Sequence, residues 1–199
     1  MAKALLVVDL QKDFLPGGAL GVPHGNEVIP VVNLLLDEPW DVVVATKDWH
    51  SDDHVSFSET HEKNIGEIIE VEGIEQILWP KHCVENTPGS EFAEGWQSDK
   101  VDKVFFKGTD KNIDSYSAFF DNGHVKSTGL DDYLKSKGID TLYVGGLATD
   151  YCVLYTVMDA LNLGYRVYVI EKACRSVNLN PGDGEEALQI MKRHGAHII

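Results

Sequence analysis

Five short runs of apolar and β-branched residues recur along the chain, at residues 4–8, 41–46, 103–106, 141–144 and 165–170. Each reads as a buried strand. Four intervening stretches, at 26–36, 130–137, 150–163 and 185–194, space their apolar residues with helical period. Strand and helix alternate, which predicts an α/β fold: a three-layer, doubly wound, mostly parallel sheet with helices on both faces. Asn26 and Thr149 stand where helix N-caps are expected, and Gly138 and Gly164 where a glycine would end a helix. Pro30 then falls near a first turn. Residues 51–100, rich in Glu, Gly, Pro and Trp, hold no sustained period and read as long active-site connections with a short helix or two. There is no repeat, low-complexity tract or linker, so residues 1–199 are expected to form a single domain.

Composition narrows the partners. Lys and Arg number 17 against 32 Asp and Glu, a net charge of −15, which disfavours a phosphate backbone and an anionic membrane surface alike. No run of roughly 18 apolar residues is present, and the opening MAKALLVVDLQKDF meets charge before a signal-peptide core could form. The expectation is a cytoplasmic protein with neither nucleic acid nor membrane as partner. Three cysteines, Cys83, Cys152 and Cys174, without C-x-x-C spacing suggest reduced thiols rather than a disulfide framework or a zinc knuckle.

In an open α/β sheet, ligands bind outside the carboxyl ends of the strands, so the polar residues just after each strand carry the chemistry. The first strand ends in Asp9, the second in Lys47-Asp48-Trp49-His50, the third in Lys107, and the fourth runs through Gly145-Gly146 towards Thr149-Asp150-Tyr151-Cys152. Cys152, in the first turn of a helix capped by Thr149, sits where unpaired amides and the helix dipole favour a thiolate. Its amide could also face a developing oxyanion. Position alone leaves Cys152 balanced between nucleophile and small core residue. Asp9 either caps a loop or exchanges a proton with the thiol; Lys107 either sits on the surface or enters the cleft paired with Asp9. Asp48 and His50, one residue apart in extended chain, project to the same side, and His82 offers a third ligand for zinc, iron or manganese. The Asp48–His50 pair by itself is equally a chance surface pattern. His54 reads as a ligand, an outer donor or a loop histidine. Phe14, Trp79 and Tyr116 adjoin these polar groups as the walls of a flat-ring pocket would, or belong to the core.

Taken together, DLQKDFLPGGAL (9–20), DWHSDDHVSF (48–57), WPKHCVENTPGSEF (79–92), Lys107-Gly108, YSAF (116–119) and GLATDYCV (146–153) resemble, in order and over nearly the whole chain, the nicotinamidases among the isochorismatase-like cysteine hydrolases. The resemblance implies an isochorismatase-like fold and hydrolysis of nicotinamide to nicotinate and ammonia, an activity that serves NAD salvage. It implies Cys152 as nucleophile, Asp9 as proton-transfer partner and Lys107 as third member of a triad. It further implies a divalent metal, zinc first and iron or manganese after it, held by Asp48, His50 and His82 and met by the pyridine nitrogen. A cis peptide before Ala148, an oxyanion hole from the amides of Ala148 and Cys152, and a ring pocket lined by Phe14, Trp79, Tyr116 and, less firmly, Leu20 complete the implied site. Pyrazinamide is the expected second substrate. Residues 108–115, and Glu85-Asn86 where the family more often has Gln-Gly, depart from the pattern and bear on loops around the substrate.

Two alternatives stand beside this reading: another cysteine amidase of the same superfamily acting on a carbamoyl or ureido substrate without metal, and a non-catalytic metal-binding protein of the same fold. The Asp48, His50, His82 set weighs against the first, and the Asp9, Lys107, Cys152 set against the second. Oligomeric state, a homo-oligomer included, is left open by the sequence.

Overall fold

The computed structural model describes residues 2–199. Its elements run β1 (Ala2–Val8), α1 (Val28–Leu35), β2 (Val42–Asp48), β3 (Ile68–Val71), β4 (Ile74–Ile77), β5 (Lys103–Lys107), α2 (Leu130–Ser136), β6 (Ile139–Leu147), α3 (Leu154–Asn162), β7 (Arg166–Arg175), α4 (Asp183–Arg193) and β8 (His197–Ile198). Six strands form one sheet in the order β5-β2-β1-β6-β7-β8, every neighbouring pair parallel.

The burial follows from the apolar runs. In β1, Ala4, Leu6 and Val8 pack on one face with Leu130, Leu134, Val157 and Met191 of α2, α3 and α4, while Leu5 and Val7 pack on the other with Val28 and Val32 of α1. Side chains alternate across a strand, so a run apolar at every position feeds two cores at once. Each fully buried Leu or Val is worth roughly 1.5–3 kcal/mol of transfer free energy, which anchors β1 at the centre of the sheet. The chain passes from β1 outward through β2 to β5, then returns to β6 on the other side of β1. The crevice between the carboxyl ends of β1 and β6 is therefore the point where the strand order reverses, the place such sheets bind ligands.

Some boundaries differ from the sequence expectation. Asn26 is not a cap: it lies in a tight turn, Gly25–Glu27, and α1 is entered from helical backbone at Glu27 with no side-chain cap. Pro30 is the third residue of α1, where the missing N–H of proline is tolerated. Thr149 is likewise inside its helix. The carbonyl of Ala148 accepts the amides of Tyr151 at 3.2 Å and Val153 at 3.0 Å, so the element opens one residue earlier as a wide turn over Thr149–Val153 before α3 begins. Gly138 and Gly164, at φ +70 and +91, do follow α2 and α3 as ending glycines. The 51–100 region contains three tight helical turns and the antiparallel β3–β4 hairpin, closed by Glu72-Gly73 at φ +51 and +82.

Candidate active site

The strand ends bring the dispersed polar residues to one place. β1 and β2 pair as far as Val7 and Ala45, after which Asp9 turns at φ +45 and its amide meets Thr46 Oγ1 at 3.1 Å. Thr46 in turn donates its hydroxyl to Asp9 Oδ1 at 2.6 Å. From the neighbouring edge, the last residue of β5 places Lys107 Nζ 2.8 Å from Asp9 Oδ2, 2.9 Å from the carbonyl of Ser115 and 3.4 Å from Cys152 Sγ, and in contact with Asp48 Oδ1. Asp9 and Lys107 are fully buried and Cys152 is 6% exposed.

The charges are interdependent. Burial works against the ammonium of Lys107, but Asp48 and Asp9 outweigh it and hold the proton well above the usual lysine range. Burial raises Asp9, and Lys107 only partly offsets this, while Asp48 adds to it. Burial opposes ionisation of Asp48 too, yet Lys107 and His50 hold it well below the ordinary carboxylate value. The Cys152 thiol is pushed well above its usual range, by burial first, with Asp9 and Asp48 adding to the rise against Lys107. Burial therefore works against the helix-turn position that favours a thiolate, which suits activation of Cys152 by a neighbouring base such as Asp9.

Beside this triad, Asp48 Oδ2 lies 3.4 Å from His50 Nε2 and 3.6 Å from His82 Nε2. His50 Nδ1 donates to the carbonyl of Gly108 at 2.9 Å and His82 Nδ1 to that of Pro80 at 2.7 Å. A carbonyl only accepts, so each Nδ1 carries a proton and each Nε2 is the nitrogen turned towards Asp48. His50 Nε2 is buried without a hydrogen-bond partner. Two imidazoles and one carboxylate with ligand atoms within 4.8 Å of one another make a donor set that fits a divalent ion and leaves coordination positions open.

A narrow cavity of about 30 Å³ joins the two groups, and Phe14, Leu20, Trp79, Tyr116, Ala148 and Cys152 all line it together with Asp48 and His82. Trp79 Nε1 donates to Tyr116 Oη at 3.0 Å, and both rings pack on Tyr151. The peptide between Leu147 and Ala148 is cis, as the family resemblance implies.

The same walls include residues the sequence reading missed: Asp114, Tyr151 and Val177. Asp150 accepts the amides of Val177 and Asn178 at 2.9 and 2.7 Å, which presses that loop against the Cys152 turn. Asp13 takes the amide of Cys83 at 2.7 Å, tying the Phe14 loop to the His82 loop. Nothing in the spacing of these residues announces them, although Asp13, Asp150 and Tyr151 lie inside the motifs. His54 lies in a loop but is fully buried. Its Nδ1 accepts the amide of Ser56 at 3.2 Å, its ring centre lies 4.1 Å from that of His50, and burial followed by the His50 charge lowers its pKa to about 4.

Comparison with known proteins places the chain in a family. The isochorismatase domain family matches residues 3–199. The chain is 46% identical to the nicotinamidase of Escherichia coli (strain K12), over 98% of this chain and 93% of the relative. Among solved structures, the Acinetobacter baumanii nicotinamidase and pyrazinamidase superposes with a TM-score of 0.95 at 44% identity, covering 99% of this chain and 95% of that one. The pyrazinamidase of Pyrococcus horikoshii in complex with zinc superposes with a TM-score of 0.81 at 37% identity, covering 100% of this chain and 99% of that one.

Proposed function

Since the chain belongs to the isochorismatase family, we propose that it hydrolyses nicotinamide to nicotinate and ammonia through a thioester on Cys152. The observation that carries this reading is the contact of Lys107 with Asp9, Asp48 and Cys152 at the wall of an aromatic cavity. The likeness to the E. coli nicotinamidase, over nearly the full length of both chains, supports the substrate.

Asp9 ionises at higher pH than an ordinary carboxylate and lies beside the thiol, so it takes the Cys152 proton as Sγ attacks the carboxamide carbon. The carbonyl π electrons move to oxygen, where the amides of Ala148 and Cys152 receive the charge; such a donor is typically worth about 3 kcal/mol. As the carbonyl re-forms, the C–N bond breaks and the nitrogen leaves as ammonia with the proton from Asp9. Asp9 then draws a proton from water, which attacks the thioester; nicotinate forms and the proton returns to sulfur. Lys107 keeps its proton throughout and stabilises Asp9 as the anion. Phe14, Leu20, Trp79 and Tyr116 line the cavity that would take the ring.

Asp48, His50 and His82 would hold a divalent ion, which when bound supplies a Lewis acid for the ring nitrogen. Zinc is the ion we assign, on the two imidazoles and one carboxylate and on the zinc complex of the P. horikoshii relative. Pyrazinamide carries a ring nitrogen in the same relation to its carboxamide and is the second substrate of this reading. A cytoplasmic setting suits a mechanism that needs a reduced thiol, and residues 1–199 are read as one domain.

Ammonia release from nicotinamide by the wild type, with Cys152→Ala run alongside, tests the assignment. Release by wild type only, with zinc content unchanged in the variant, is the expected result. Turnover by the variant would overturn the nucleophile, and no release by folded, zinc-loaded wild type would overturn the substrate.

A further inference from the structure

β2 runs on to Asp48 after the recorded register with β1 has ended at Val7 and Ala45. The backbone of Asp48 on that side is met instead by one side chain. Gln11 Oε1 accepts the amide of Asp48 at 2.8 Å, and Gln11 Nε2 donates to the carbonyl of Asp48 at 2.8 Å. The second Nε2 hydrogen goes to the carbonyl of Ser90 at 2.9 Å, in the turn Pro88–Ser90. Gln11, Asp48 and Ser90 are all buried, Gln11 and Ser90 fully. The carboxamide thus does for Asp48 what a further residue of β1 would do, and does it where Asp48 reaches two systems: Oδ1 touches Lys107 of the triad and Oδ2 faces His50 and His82.

We infer that Gln11 is a positioning residue that sets the orientation of Asp48, and through it the metal-ligand geometry. The chemistry requires one planar group with two donors and one acceptor at that reach. Glutamate keeps an acceptor for the Asp48 amide but turns oxygen towards two carbonyls; methionine keeps the length and supplies no donor; asparagine is one methylene short. Groups that orient metal ligands typically change metal affinity or activity by roughly 10–100-fold when removed.

The inference rests on the reading that Asp48, His50 and His82 hold the metal, so the experiment carries a control for that reading. The Zn²⁺ dissociation constants of folded, metal-stripped wild type, Gln11→Glu, Gln11→Met and His82→Ala are measured by competition with a chromophoric chelator, alongside urea unfolding midpoints. Both Gln11 variants are expected to bind Zn²⁺ roughly 10–100-fold more weakly than wild type, and Co²⁺-loaded samples to show altered visible bands. If the Gln11 variants lose stability yet bind Zn²⁺ as tightly as wild type with unchanged Co²⁺ spectra, while His82→Ala binds weakly, Gln11 is a structural residue only and the inference falls alone. If His82→Ala also binds as wild type, the metal reading falls with it. Gln11→Glu, which retains the acceptor for Asp48, decides the matter if Gln11→Met does not fold.

Discussion

Lys107 Nζ has three N–H bonds and four neighbours able to accept them: Asp9, Asp48, the carbonyl of Ser115 and Cys152. The sulfur is the most distant, at 3.4 Å, and sulfur is the weakest acceptor of the four. The ammonium therefore hydrogen-bonds Asp48, Ser115 and, most weakly, the sulfur, and holds Asp9 as an ion pair, while the thiol keeps its own proton for Asp9 to collect. Thr46 is the residue that readies Asp9 for this, by donating to the second carboxylate oxygen. A hydrogen bond to a charged group is worth about 1.5–3 kcal/mol, or roughly one to two pKa units. Thr46→Val withdraws a bond that favours the anion, so it should raise a carboxyl already above its ordinary 3.8. The base form is the active one and is lost as pH falls, so a raised pKa moves the acid limb of kcat/KM to higher pH by that one to two units. Profiles of wild type and variant that coincide on the acid side would remove Asp9 as the base. Thr46 was not legible as a site residue, because a threonine in an apolar strand run reads as strand propensity and only its register opposite Asp9 gives it a role.

At the scale of elements, the turn leaving β5 illustrates how a backbone choice sets a side chain elsewhere. Gly108 sits at φ +63 with its carbonyl on His50 Nδ1, and a Cβ there would stand 2.4 Å from His50 Cε1. An L-residue in this conformation costs about 1–2 kcal/mol before any contact is considered, and the imidazole must move besides. Gly108→Ala should therefore weaken zinc binding by more than its effect on the urea unfolding midpoint of the metal-free protein suggests; equal zinc affinity in variant and wild type would show that His50 moves without consequence. The strands around this turn were legible, since β1 and β2 are apolar runs that double-sided burial explains, and β5, β6 and β7 are short apolar, β-branched or aromatic runs. The caps were not: Asn26 and Thr149 are good cap types at good positions, but Asn26 falls inside the tight turn that leads into α1, and the Ala148 carbonyl takes the first amides ahead of Thr149. The β3–β4 hairpin escaped because its strands are four residues each and its turn is Glu-Gly rather than Asn-Gly. β8 is two residues long, too short for any period.

Across the whole molecule, the site is assembled from parts far apart in the chain, with Asp9, the 48–50 segment, His82, Lys107 and Cys152 meeting at the carboxyl edge of the sheet. The topology made their convergence legible, because parallel strands deliver all their exits to one side. What the sequence alone could not supply was distance, and distance decides that Asp48 touches Lys107 with one oxygen and faces His50 and His82 with the other. That sharing predicts how the protein responds to losing its metal. An ion bound only by the native state stabilises it by about 2.7 kcal/mol at a free concentration of 100 Kd. For a chain of 199 residues each kcal/mol moves Tm by roughly 2–4 °C, so zinc should raise Tm by about 5–10 °C over the chelator-treated protein. The gain should shrink sharply in His82→Ala, which removes one ligand and leaves Lys107 with its carboxylate partners. In Lys107→Met the same metal-dependent gain should persist or grow at neutral pH, since Asp48 Oδ1 loses its cation and the carboxylate depends more on the ion for its charge balance. Calorimetry with and without chelator on the three proteins separates the cases: a wild-type Tm indifferent to zinc contradicts the ligand set, and a gain abolished by Lys107→Met would mean that Asp48 reaches the metal only when the lysine holds it in place.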